Sequence, residues 1–218
     1  MYSSFIAKMR NDNALNRATR YALISMILGF VIYIASRAAL STFYNDDFPD
    51  SLAIKVELMP VIFPVHMITG ALALLLLPIA YTLRHNSRWH RPIGRIAAVD
   101  VLVSGVTAYP VALIAPVTSW SAAGFSAQAT VWLILLGLGI YNIRRRRVAA
   151  HRACMLLMVA TTSGAIFFRV FLALWAQYGS IRQFDTFYAI DAWIAWMLPL
   201  GICALILRRK SSTPIPPH

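Results

Sequence analysis

Seven ionisable side chains stand where an apolar sequence has little use for them. His66, Asp100, Arg169 and Asp191 lie inside long uncharged runs, Arg37 lies near the end of one, and His90 and His151 open two others. Imidazole, carboxylate and guanidinium groups are costly in hydrocarbon unless they are paired or solvated, so each is a candidate functional position. Two histidines from neighbouring helices can ligate a haem iron axially, and arginines beside them can hold the propionates. His90 and His151 fit that pattern, with Arg91, Arg95 and Arg152 close by in the sequence. A guanidinium, an imidazole and a carboxylate at one depth would instead make an anion site or a structural cluster. Arg37, His66, Arg169 and Asp191 are the candidates for that.

The elements that must position these groups follow from charge and length. Sixteen of the 20 basic residues fall in four short segments: Lys8 to Arg20, Arg84 to Arg95, Arg144 to Arg152, and Arg208 to Lys210. Long apolar runs separate them. The intervening boundaries hold only Lys55 and Arg182, with Asp46, Asp47, Asp50, Glu57 and Asp185. Basic residues in short loops stay cytoplasmic, so this alternation predicts both termini inside and an even number of spans. A hydrocarbon core of about 30 Å takes roughly 20 helical residues. Six segments qualify, near 22–43, 58–83, 93–115, 125–143, 150–176 and 187–207. Backbone groups in lipid must pair within their own segment, and no period-two pattern suggests a barrel, so the fold class is an all-α polytopic membrane bundle in one domain.

Composition narrows the function. The chain is 59% hydrophobic and 13% charged, with a mean hydropathy of +0.65, too little polar surface for a soluble domain. The net charge of +12 sits at membrane boundaries, where anionic lipid headgroups rather than nucleic acid are the counter-charge. Cys154 and Cys203 fall toward the cytoplasmic ends of their spans and read as packing residues. Residues 1–20 form a cytoplasmic N-terminal segment, 211–218 a disordered cytoplasmic tail, and the first span is retained rather than cleaved. Pro92 suits the first turn of the third helix, Pro110 and Pro199 should kink their spans, and Gly137 and Gly139 allow close helix contact. Trp120, Trp132, Trp175, Trp193, Tyr178 and Tyr188 suggest an aromatic belt at the outer boundary.

Depth sorts the candidates by side. At about 1.5 Å per residue, His66, Arg169, Arg37 and Asp191 belong to the outer part, whereas His90 and His151 are cytoplasmic. On the fifth span His151, Met155, Met158, Thr162, Ala165 and Arg169 share one stripe. Gly70, one turn from His66, would let a flat macrocycle approach the second span. Plainer readings stand beside these. Arg37 can snorkel, Asp191 can pair with an arginine, and His90 and His151 can contact lipid phosphate.

The combination His66-x-x-x-Gly70, Arg88-x-His90-Arg91-x-x-Gly94-Arg95 and His151-Arg152-x-x-Met155 followed by Arg169 resembles the bacterial membrane proteins grouped as domain of unknown function 2306. That family carries no assigned activity, so the resemblance groups His66, His90, His151 and Arg169 without giving them a role. Cys154 and Leu157 depart from its pattern. A more distant likeness is to six-helix cytochromes similar to cytochrome b561, although the fourth span has no histidine to partner His66. Two function classes follow for a protein of the bacterial cytoplasmic membrane. One is a haem b redox protein ligated by His90 and His151, exchanging electrons with a quinone or another redox partner. The other is a small transporter or lipid- and anion-binding protein built on Arg37, His66, Arg169 and Asp191. An accessory subunit of a homo-oligomer or larger complex, without catalysis, is the structural alternative. A zinc hydrolase is disfavoured because a catalytic zinc needs three ligands at one depth.

Overall fold

The computed structural model describes residues 25, 26, 28–37, 40 and 50–211, and its described elements are helical. Five helices are long and apolar enough to cross a membrane, and a shorter apolar helix, α1, covers Leu28–Arg37. The remainder of the expected first span, the N-terminal segment and residues 212–218 lie outside the described residues. After α1 come α2 (Asp50–Leu58), α3 (Ile62–Thr82), α4 (Ser87–Leu113), α5 (Ser119–Arg144), α6 (Val148–Tyr178) and α7 (Phe184–Ser211). The chain is an all-α polytopic membrane protein.

The long helices run past the apolar stretches that identify them, because a helix need not stop where hydrocarbon does. This alters two local expectations. The third span begins at Ser87, so His90 lies within the first turns of α4, and Pro92 sits deeper in the helix than its first turn. The second expected span divides at Met59-Pro60-Val61, leaving α2 as a separate short helix before α3. Pro78, Pro110 and Pro199 also lie inside helices.

Helices α3, α4, α5 and α6 pack in sequence, and α6 returns to α3 through a much sparser contact; α7 lies against α5 and α6. Ala73, Leu77, Ala97, Val101, Trp132, Leu135, Leu136 and Met158 form the shared core. Trp132 is therefore a core residue rather than part of an aromatic belt, whereas Trp120 and Tyr178 are exposed. The backbones approach closely where side chains are absent. A Cβ on Gly124 would stand 2.8 Å from the Ala192 carbonyl oxygen, and one on Gly164 would stand 2.6 Å from the Trp196 Cβ. Gly139 packs against Met155, while Gly137 faces open space.

Two ends can now be distinguished. The arginine-rich end carries the turns between α3 and α4 and between α5 and α6, with the C-terminus of α7. The arginine-poor end carries the α4–α5 and α6–α7 connections and α2. At the latter, Thr118 and Ser121 cap α5 reciprocally, Ser121 N–H donating to Thr118 Oγ1 at 3.0 Å and Thr118 N–H to Ser121 Oγ at 3.1 Å. At the arginine-rich end α5 stops through crossed bonds from Arg146 N–H to Ile143 O and Arg147 N–H to Asn142 O, at 3.0 and 2.9 Å, with Arg146 in the left-handed region at φ 58°.

Candidate functional site

Polar side chains inside the spans have little water to bond, so most turn to the carbonyl one turn back. Thr69, Thr107, Thr161 and Thr162 do so at 2.7–2.9 Å, and Arg169 joins them through Nη1 to Ala165 O at 2.8 Å. Threonine is satisfied by that bond. A guanidinium has five donors, and this one uses a single bond to a neutral oxygen.

His66 is placed by α3 and held by α4. Its Nδ1 lies 3.0 Å from Ser104 O and 3.4 Å from Thr107 Oγ1. A carbonyl only accepts, so Nδ1 carries the proton and Nε2 of the neutral ring keeps its lone pair. Gly70 lies one turn along, and a Cβ there would stand 3.6 Å from Ser104 Oγ.

Around His66 the structure gathers more than the sequence predicted. The Arg169 guanidinium and the Lys55 ammonium both act electrostatically on the His66 ring. Arg169 and Asp191 both act on the Tyr188 phenol, one turn before Asp191 on α7. At about 1.5 Å per residue, His66 lies about 6 Å from the arginine-poor end of α3, and Arg169 about 14 Å from that end of α6. Arg37 stands exposed at the end of α1.

Lys55 and Tyr188 were missed by sequence reasoning. Lys55 looked like a boundary charge, but α2 folds it inward until it is only 7% exposed. Its Nζ donates to Val111 O in the last turn of α4, where helix carbonyls lack intrahelical partners and the dipole end is negative. Burial holds the ammonium below its ordinary lysine value. Its being the lone base of an otherwise acidic segment was the available signal. For Tyr188 the signal was its spacing of three from Asp191, which puts both on one face.

Asp191 does not pair with an arginine: it is buried and both carboxylate oxygens lack a hydrogen-bond partner. One turn before it on α7, Tyr188 packs with Phe125 and Phe168, the three rings meeting edge to face at 5.2–6.0 Å between centroids. Asp100, at the midpoint of α4, is likewise buried with Oδ2 unpartnered.

The arginine-rich end holds the other two histidines. His90 Nδ1 bonds Ala80 O of α3 at 2.9 Å, and His151 Nδ1 bonds Gly139 O of α5 at 2.9 Å. Each ring faces the preceding helix of its own hairpin, and α4 and α6 lie diagonally opposite in the α3–α6 ring. Both keep Nε2 as an acceptor, and Arg91 and Arg152 beside them are exposed. Among the described residues no group of three or more His, Cys, Asp or Glu side chains converges as a metal site would require. Two open grooves, of about 520 and about 390 Å³, lie at the arginine-poor end along α7 and the end of α6, and no histidine lines either.

The family described as "Predicted membrane protein (DUF2306)" matches residues 63–207. That range takes in His66, His90, Asp100, His151, Arg169 and Asp191, and begins beyond Lys55. No curated protein and no solved structure matches the chain.

Proposed function

The chain belongs to the DUF2306 family of predicted membrane proteins, and from that premise we propose that it binds an anionic group, a phosphate or carboxylate, at Lys55, His66 and Arg169. The observation that carries this reading is that Lys55 is buried with its ammonium bonded only to the Val111 carbonyl and Arg169 is bonded only to the Ala165 carbonyl, neither reaching a carboxylate among the described residues, while both charges bear on His66. An uncompensated guanidinium in a span is costly, and an anion arriving there supplies the missing charge. Arg169 offers a planar fork suited to two oxygens of one anion, and Lys55 adds a point charge near the membrane boundary. His66 Nε2 accepts a hydrogen bond from a protonated oxygen of the ligand. With the arginine-rich end in the bacterial cytoplasm, the site lies toward the outer leaflet, where the anion is either a lipid headgroup or a soluble phosphate or carboxylate.

Protein purified in neutral detergent tests this by calorimetric titration with inorganic phosphate and, separately, with short-chain phosphatidylglycerol. Binding of phosphate alone identifies a soluble anion, and binding of the lipid alone identifies a headgroup. Arg169→Ala is expected to lower either affinity at least tenfold. If neither probe binds, or the variant binds as the wild type does, the reading fails.

A second reading, a haem b redox protein exchanging electrons with a quinone, draws on one observation. His90 and His151 each donate Nδ1–H to a carbonyl, the orientation that metal-ligating histidines adopt when a second contact fixes the tautomer. Bound haem would supply one-electron chemistry, with Arg91 and Arg152 near its propionates. A visible spectrum of protein produced with ample haem decides it: absence of a Soret band ends this reading.

A further inference from the structure

We infer that one face of α4, at the arginine-rich end, is a docking site for an anionic lipid carrying two phosphates, of the cardiolipin type. Arg88, Arg91 and Arg95 meet its headgroup, and Val99, Leu102 and Val106 lie along its acyl chains. With 3.6 residues per turn, these six positions fall within about 80° of the helix circumference. All six are exposed, whereas Ala97, Asp100, Val101 and Ser104 on the opposite side are buried. The stripe is one continuous surface that the other described helices leave uncovered.

Its polarity changes along the helix as a bilayer leaflet does. The helix has 27 residues, about 40 Å at 1.5 Å each, against a hydrocarbon core of about 30 Å. From Ile96 to Leu113 its sole charged residue is the buried Asp100, and that stretch alone spans about 27 Å. The excess length is therefore the arginine-bearing start, where Arg88 and Arg95 are about 10 Å apart along the axis. The three arginines stand in the headgroup layer, and the apolar part of the stripe continues from them into hydrocarbon.

No acidic side chain is at hand to neutralise this face. Between Glu57 and Asp185 the sequence contains one acidic residue, Asp100, and it lies on the buried side. Arg84 and Arg145 lie over the Tyr81 and Tyr141 rings at 4.4 and 4.7 Å. The guanidiniums of Arg88, Arg91 and Arg95 have no hydrogen-bond, ion-pair or ring partner among the described residues. Each can hold a phosphate through two parallel N–H donors. One phosphate leaves two of the three charges unmatched, whereas two phosphates on a single headgroup leave one, and the additional acyl chains cover more of the apolar stripe. The α5–α6 turn is richer in arginine, but Arg144 to Arg147 are consecutive, and adjacent positions do not share a helix face. The α4 site is at the opposite end of the bundle from Lys55, His66 and Arg169 and does not depend on the function proposed for them.

Native mass spectrometry of the full-length protein in neutral detergent, with cardiolipin or phosphatidylglycerol added, tests the proposal. The wild type should bind cardiolipin about tenfold more tightly than phosphatidylglycerol. Replacing Arg88, Arg91 and Arg95 together by glutamine should abolish that preference. Replacing Arg144, Arg145 and Arg147 by glutamine removes the same charge from the neighbouring turn and should preserve it, as should Arg169→Ala. Equal losses in the two triple variants would show that total charge, not this face, attracts the lipid, and would overturn the proposal. So would equal wild-type affinity for the two lipids, or loss of the preference in Arg169→Ala, which would place the lipid at the anion site. If the α4 triple variant does not fold, Arg88→Gln and Arg95→Gln decide the matter singly. Each should keep the wild-type melting temperature in lipid-free detergent and lose about threefold in cardiolipin affinity; wild-type affinity in both ends the proposal.

Discussion

His151 donates its Nδ1 proton to the Gly139 carbonyl at 2.9 Å, tying the start of α6 to the final turns of α5. His90 does the same to Ala80 across the preceding hairpin. Each is the fourth residue of its helix, each bonds a carbonyl ten or twelve residues back, and each is followed by an arginine. The two hairpins are thus closed by one device used twice. No overall repeat is needed to produce it, because an imidazole reaching a carbonyl is a local solution to joining two helices across a highly basic turn.

Removing either closure should cost about 1 kcal/mol, the net worth of one hydrogen bond. His90→Ala and His151→Ala are each expected to lower the melting temperature in detergent by about 2–4 °C. The bonds share no residue, so the double variant should lose close to the sum. A double variant no worse than either single one would show that the hairpins do not close independently.

The glycines should rank by what their missing Cβ would meet. At Gly124 the obstacle is the Ala192 backbone and at Gly164 the Trp196 backbone and Cβ, whereas at Gly139 it is the flexible tip of Met155. Alanine at Gly124 or Gly164 should destabilise by about 1–3 kcal/mol through forced helix separation. Gly139→Ala should be milder, and Gly137→Ala, facing open space, neutral or better. Thermal melts of the four variants check the order.

Lys55 should give stability a pH dependence of known sign. Burial lowers its pKa in the folded protein below the ordinary 10.5, so the unfolded chain binds more protons. Stability then rises with pH through the folded pKa and levels off above 10.5. Lys55→Met should flatten that rise while losing the bond to Val111 O. Melting curves taken from neutral to alkaline pH decide it, and an unchanged slope in the variant would rule out Lys55 as the source.

Arg146 holds a left-handed conformation, φ 58°, where a side chain is strained and glycine is not. Arg146→Gly should therefore stabilise the α5–α6 turn by about 1 kcal/mol, offset in part by the greater freedom of glycine in the unfolded chain. A lower melting temperature would mean that the charge at this turn outweighs the backbone strain.

The sequence alone determined the class of the protein. Apolar runs of spanning length must be helices, because lipid offers their backbones no partner, and the arginine clusters marked which ends of the helices lie together. It also assigned His66 and Arg169 to the half of the bundle away from the arginine clusters, since the rise of a helix converts residue number to distance. Lateral arrangement was not legible. Helical spacing places His90 and His151 at one end of the bundle, but only packing decides that each turns to its own hairpin. The same holds for Asp191, which is buried with both carboxylate oxygens unpartnered, and for Lys55, which α2 turns inward. Depth follows from one dimension of the chain, whereas partners depend on which helix faces pack together, and that is settled by close approaches such as Gly124 on Ala192.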